Sequence, residues 1–296
     1  MAFILLYARD CNGIFDYLLD HTEALYLDNA SLQEITTEIL SCQPICELPD
    51  HEKTLAKNIA LGDLAITTRQ TVFYPQGGGQ PSDTGVISIT ASPNNNSDTS
   101  AESVLFQVLL VRKSTSGRIL HFGQFLPSNT SPCFADGQLV SQRIDSARRE
   151  YHSRLHTAGH IIGLAMRLLT PILGERKKVK ANHAPREACM EFEGLLYNEH
   201  KPVIEETINK LVQKALPVKI SWWEESEIEK LSLNMVEGLQ LGGNGLVRIA
   251  EIGDIDANPC GGTHVEHTGL TGPITIRKIS RQKGVSRLSY EVPVSL

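Results

Sequence analysis

The sequence predicts an α+β chain: a small N-terminal β-barrel-like domain, then an α+β domain whose helices pack on an antiparallel sheet. Three observations predict it. Residues 24–139 break into short β-rich runs punctuated by Gly, Pro and Ser, apolar residues from Ile144 to Leu169 recur at helical spacing, and the remainder alternates strand candidates with a second helix. With 296 residues, 41% hydrophobic and 21% charged, the chain suits two modest domains and falls outside the disordered, collagenous and coiled-coil classes.

Residues 1–22 read as an N-terminal extension, because ordinary strand-like alternation begins only near Ala24-Leu25-Tyr26-Leu27. The barrel-like domain, 23–140, draws its strands from 65–68, 71–74, 104–109 and 118–122, and carries a polar insertion at 92–100 that cannot bury apolar area. The domain 141–296 opens with a long helix through Ile144, Arg148, Tyr151, Leu155, Ala158, Ile162, Ala165 and Leu169, stopped by Pro171 and Gly174. A second helix follows through Ile204, Ile208, Leu211, Val212 and Ala215, and strands are expected at 189–192, 218–222, 246–249, 274–277 and 287–292. Period-2 alternation puts one of Trp222 and Trp223 in the core.

Twenty-eight Lys and Arg stand against 34 Asp and Glu, a net charge of -6, which excludes a polycationic nucleic-acid binder and leaves only local patches. Two exist. Between Ser141 and Met190 ten Lys/Arg face four acids, and Arg277, Lys278, Arg281, Lys283 and Arg287 form a run without any acid. Such stripes can neutralise phosphates or can simply be solvated faces. No apolar stretch is long enough for a bilayer, and Phe3–Tyr7 lacks a basic flank, so no membrane partner is expected and the cytoplasm is the expected location. Six cysteines in so long a chain read as thiols or ligands, and Cys42 and Cys46, spaced CxxxC without a nearby histidine, as a structural or accidental pair.

His152, His156 and His160 follow one another at four-residue intervals and share one helix face. The outer two lie roughly 12 Å apart along the axis, so only His152 with His156, or His156 with His160, can share an ion. Downstream, Asn258-Pro259-Cys260-Gly261-Gly262-Thr263-His264 offers a thiolate and an imidazole in a turn that two glycines let curl. Four nitrogen and sulfur donors suit Zn2+, stapling helix to sheet. His183 and His267 fit ordinary loop histidines. A zinc protease is disfavoured because Thr157 stands where that motif places its glutamate. The run Phe73–Gly85 contains Gly77-Gly78-Gly79, which suggests either a flexible hairpin or close approach of a ligand; no Gly-Lys-Ser/Thr follows, so it is not a P-loop.

Taken in order, Phe73-Tyr74-Pro75-Gln76-Gly77-Gly78-Gly79-Gln80-Pro81-Ser82-Asp83-Thr84-Gly85, Arg154-Leu155-His156-Thr157-Ala158-Gly159-His160 and Asn258-Pro259-Cys260-Gly261-Gly262-Thr263-His264-Val265 resemble the AlaX family of free-standing alanyl-tRNA editing proteins, relatives of the alanyl-tRNA synthetase editing domain. The likeness runs from about Ala24 to Val292. It implies a zinc-dependent, ATP-independent trans-editing hydrolase that removes serine, and in some members glycine, from the acceptor end of tRNA(Ala). It also implies His156, His160, Cys260 and His264 as the metal ligands. Pocket candidates are then Gln80, Thr157, Gly159 and His183, and substrate-binding candidates Gly77, Gly78, Gly79, Gln80, Arg148 and Arg154. Gly159 departs from related editing domains, which often carry a bulkier residue there. Three other readings compete: a non-catalytic zinc-containing tRNA-binding module, an editing domain of the threonyl-tRNA synthetase type, and a metallohydrolase of small aminoacyl esters.

Overall fold

A computed structural model describes residues 21–60, 63–89, 104–126, 133–230 and 245–295. The expected N-terminal extension, apart from its last two residues, and the polar insertion at 92–100 lie outside them. The chain divides into two compact units, one drawn from Met1–Gln76 and Ser82–Asp145, the other from Gly77–Pro81 and Ser146–Leu296. The α+β class with an N-terminal barrel is what the chain forms.

In the first unit, β1 (Glu23–Ala24) is only two residues long and Leu25–Leu27 forms a 3-10 turn. The strand expected at 24–27 is thus cut short, with the Asp28 N–H returning to the Leu25 carbonyl. The long β2 (Glu34–Pro44) buries Thr37 and Ile39 in alternation and is followed by the short helix α1 (Asp50–Lys53). Then come β3 (Leu64–Thr68), β4 (Gln70–Thr71), β5 (Gly85–Ile89), β6 (Leu105–Lys113), β7 (Ile119–Leu126) and β8 (Leu139–Ile144). The order β2-β3-β7-β6-β5-β8 closes on itself with every pair antiparallel, which removes sheet edges. Tyr26, Ile39, Ile66, Phe73, Ile87, Phe106 and Val108 are among the side chains of its core. The strand expected at 71–74 ends at Thr71. Beyond it, side chains replace the ladder: the Val72 N–H donates to Gln142 Oε1 (3.2 Å) and the Tyr74 N–H to Asp83 Oδ2 (2.7 Å).

The second unit opens with α2 (Ser146–Leu168), whose one turn beyond, α3 (Thr170–Leu173), carries Pro171 and ends at Gly174 with φ of 75°. Next are β9 (Lys178–Asn182), β10 (Cys189–Glu193), α4 (Lys201–Gln213), β11 (Val218–Trp223), α5 (Glu225–Lys230), β12 (Val247–Ile252), β13 (Asp256–Pro259), β14 (Thr275–Gln282) and β15 (Val285–Glu291). One antiparallel sheet has the order β14-β15-β10-β9, a second β11-β12-β13. Leu155, Ile162 and Met166 of α2 and Ile204, Ile208 and Leu211 of α4 share one core with Met190, Phe192, Leu288 and Tyr290 of the four-stranded sheet. Trp223 packs on Ile228, Val247 and Ile249, and Trp222 is half-buried. Among the described residues no helix is long and apolar enough to cross a membrane.

Candidate metal centre

Helix α2 projects His156 and His160 toward the turn that follows β13, where Cys260 and His264 stand four residues apart. One ligand atom from each of the four falls within 4.8 Å of all the others. The Cys260 sulfur is 3.4 Å from His156 Nε2 and 3.3 Å from His264 Nε2. A tetrahedral zinc with ordinary Zn–N and Zn–S bonds separates its donors by about 3.3–3.6 Å, which the two Cys–His separations match, and no other described group of three or more His, Cys, Asp or Glu gathers in this way. Of the two helical pairs that spacing allowed, His156 with His160 is the one that converges. His152 is buried outside the group, and His267 and His183 are not members either.

Two of the three ligand rings are fixed from behind. The Gln80 carboxamide donates through Nε2 to Thr263 Oγ1 (2.8 Å), which leaves Oε1 as the acceptor for His156 Nδ1–H (2.7 Å) and for the Thr263 N–H (3.1 Å). His156 therefore carries its proton on Nδ1 and presents a lone pair at Nε2, the atom nearest Cys260. His264 Nδ1 lies 3.2 Å from Thr157 Oγ1, which also accepts the Val265 N–H at 3.2 Å. The ligand turn is itself held by buried Arg248, whose guanidinium donates to the carbonyls of Cys260 (2.7 Å) and Gly262 (2.9 Å). A Cβ on Gly262 would stand 2.0 Å from His156 Cε1, so only glycine fits there.

Electrostatics favour the liganding form of the three imidazoles. Burial, then the neighbouring imidazoles and Arg248, hold His156 and His264 well below the usual imidazole range, and burial with Lys178 pulls His160 down to about 3. Neutral imidazoles are what a metal needs. Burial raises the Cys260 thiol, while the Gly262 N–H at 3.4 Å and the charges of Arg248 and Lys178 oppose that rise. A divalent cation would complete the deprotonation.

The structure brings the four pocket candidates around these ligands. Gln80 and Thr157 hold ligand rings. His183 stacks on His156, ring centroids 4.3 Å apart, and its Nδ1 is 2.6 Å from the Tyr290 hydroxyl, which donates to the Leu155 carbonyl at 2.9 Å. Gly159 makes room for that imidazole, since a Cβ there would meet His183 Cε1 at 2.3 Å. The glycine run is a tight turn: Gly77 and Gln80 exchange backbone hydrogen bonds, and Gly78 and Gly79 take φ of +54° and +84°. Read from sequence as part of the barrel domain, this turn groups with the second unit, because the Gly79 carbonyl accepts the His183 N–H and Gln80 reaches His156. Arg148 is exposed at the start of α2. Arg154, the other substrate-binding candidate among the arginines, is 2% exposed, and its guanidinium donates to the carbonyls of Thr271 (3.1 Å) and Val294 (3.4 Å). Arg248, Thr263 and Tyr290 escaped sequence reading. Arg248 and Tyr290 lie in ordinary strand patterns, and nothing local marks what they touch.

Residues 247–289, the segment holding Cys260 and His264, match the family described as the threonyl and alanyl tRNA synthetase second additional domain. The alanine–tRNA ligase of Natronomonas pharaonis is 34% identical over 96% of this chain and 27% of the ligase, and that of Methanosphaera stadtmanae 31% identical over 77% and 24%. The chain is an AlaX-like relative of the alanyl-tRNA synthetase editing region. The alanine–tRNA ligase of Pyrococcus furiosus adds a match at 28% identity over 94% of this AlaX-like chain and 30% of the ligase. The AlaX-like chain thus spans under a third of the length of these curated relatives.

Proposed function

We propose that the chain is a zinc-dependent trans-editing hydrolase that deacylates mischarged tRNA(Ala) in the cytoplasm, acting on Ser-tRNA(Ala) first and on Gly-tRNA(Ala) as well. The observation that carries the reading is the convergence of His156, His160, Cys260 and His264 on one small volume. Zinc held there would supply Lewis-acid polarisation to ester hydrolysis. The chain's own residues do the rest. Gln80 and Thr157 fix the ligand rings, and His183 and Tyr290 wall one side of the centre. Lys178 is exposed on β9, close enough to His160 and His183 to depress their protonation, and with exposed Arg148 it provides cations for backbone phosphates. For the serine substrate, discrimination against alanine follows if the pocket pairs the hydroxyl, since such sites reject an analogue lacking it by about 10^4–10^5; glycine lacks that hydroxyl too, so its removal would have to rest on its smaller size.

A second reading is favoured by the donor count. Four protein ligands can fill a tetrahedral zinc, as in structural sites, which would make the chain a tRNA-binding module without catalysis. One experiment separates them: deacylation of Ser-, Gly- and Ala-tRNA(Ala), with and without a chelator. The hydrolase reading expects Ser-tRNA(Ala) to be consumed, Ala-tRNA(Ala) spared, and activity lost to the chelator and restored by zinc. Unchanged levels of all three with tRNA still bound would establish the binding module instead.

A further inference from the structure

Two cysteines outside the metal centre meet in the barrel unit. Cys42 lies toward the end of β2, beyond the register shift between Ile39 and Ser41, and Cys133 precedes the buried Phe134 ahead of β8. The Cys133 sulfur is 3.0 Å from the Cys42 carbonyl oxygen, which brings the two cysteines into one corner of the barrel unit. Phe134 is anchored against Phe125 with ring centroids 4.9 Å apart, which fixes the approach of its neighbour. Cys133 is exposed and Cys42 half-buried. Cys46, despite its CxxxC spacing from Cys42, belongs to no described cluster of three ligands, so this corner is a thiol pair rather than a metal cage.

We propose that Cys42 and Cys133 form a reversible disulfide, a modification site that reacts with low-molecular-weight disulfides such as oxidised glutathione. Exposed Cys133 enters first: its thiolate attacks one sulfur of the oxidant, forming a mixed disulfide and releasing one thiolate. The Cys42 thiolate then attacks the Cys133 sulfur, the Cys42–Cys133 bond forms and the second glutathione leaves. The two protein protons end on the two released thiols, and the two electrons reduce the oxidant. Burial, together with the Cys133 thiol, pushes Cys42 up to about 12, which keeps it from attacking the oxidant first, and capping Cys133 removes that second contribution. The bond would span 91 positions of sequence and so restrict the unfolded barrel strongly.

The test equilibrates the full chain with oxidised and reduced glutathione, alkylates the remaining thiols and maps peptides by mass. A Cys42–Cys133 linked peptide, lighter by two hydrogen atoms, should accumulate, revert with dithiothreitol, persist in Cys46→Ser and vanish in Cys42→Ser and Cys133→Ser. The barrel's thermal midpoint should rise by several degrees on oxidation. Cys42→Ser should instead hold a stable glutathione adduct on Cys133, which reads out reactivity without the pair. A lasting adduct on wild-type Cys133, a Cys42–Cys46 link, or no oxidation at all would overturn the proposal.

Discussion

Gln80 is the residue on which the metal centre's precision rests, because one carboxamide serves a ligand ring and the ligand turn together. Replacing it with leucine preserves bulk but strands two buried donors, His156 Nδ1–H and the Thr263 N–H, each at a cost of about 1–3 kcal/mol. Outer partners of metal-bound histidines are typically worth about 10–100-fold in affinity. Gln80→Leu should therefore weaken zinc binding by that factor in a competition titration against a chromophoric chelator, while Gln80→Glu, which still accepts from His156, should retain most of it. Equal affinities for all three proteins would mean that the carboxamide does not orient the ring. At this scale the sequence was informative about chemistry and silent about geometry. Helical spacing alone could not choose between His152 and His160 as the partner of His156. Gln80 stood out only through its glycine neighbours, and its bond to a ring 76 positions away has no sequence signature.

Helix α2 carries two interior glycines whose surroundings differ, and they should respond to alanine with opposite signs. At Gly163 nothing lies within 4 Å of an added Cβ. Helix propensity alone then operates, and Gly163→Ala should stabilise the second unit by about 1 kcal/mol. At Gly159 the same gain is outweighed, because the new methyl would stand 2.3 Å from His183 Cε1 and 3.2 Å from the Tyr290 hydroxyl. His183 is stacked on His156 and bonded to Tyr290, so it cannot yield cheaply; overpacking costs of about 1–3 kcal/mol make Gly159→Ala destabilising. Urea unfolding of the two variants, and of Gly159→Ala combined with His183→Ala, checks this: the double variant should recover much of the loss attributable to the clash. Periodicity revealed α4, which buries the single stripe Ile204, Ile208, Leu211 and Val212, and α2, whose apolar residues keep helical spacing even though residues 152–159 are buried on every face. It did not reveal β2, whose inward Thr37 and outward glutamates blur the alternation, nor β9, whose Lys178-Val179-Lys180 are all exposed. Edge strands without a buried face leave no hydrophobic pattern to read.

The two units place their buried histidines in different service, so the whole molecule carries in its barrel an acid response separate from that of the metal ligands. In the barrel, His121 is wholly enclosed; its Nδ1–H donates to the Ile66 carbonyl at 3.0 Å, and Nε2 lies 2.8 Å from the Thr71 hydroxyl. Burial lowers it from 6.5 to about 4, only partly opposed by the bond to Ile66. Between those values the unfolded chain binds a proton that the folded barrel refuses. Stability contributed by the neutral ring is thus complete above about pH 6.5 and is lost progressively as pH falls toward 4, by about 3 kcal/mol over the interval. Hydrogen exchange of amides in β3 and β7, the strands that flank this ring, should show protection falling through that window in the wild type. His121→Asn, which cannot take up the proton, should begin less stable but show a shallower dependence. Parallel slopes in the two proteins would assign the acid sensitivity to groups other than His121.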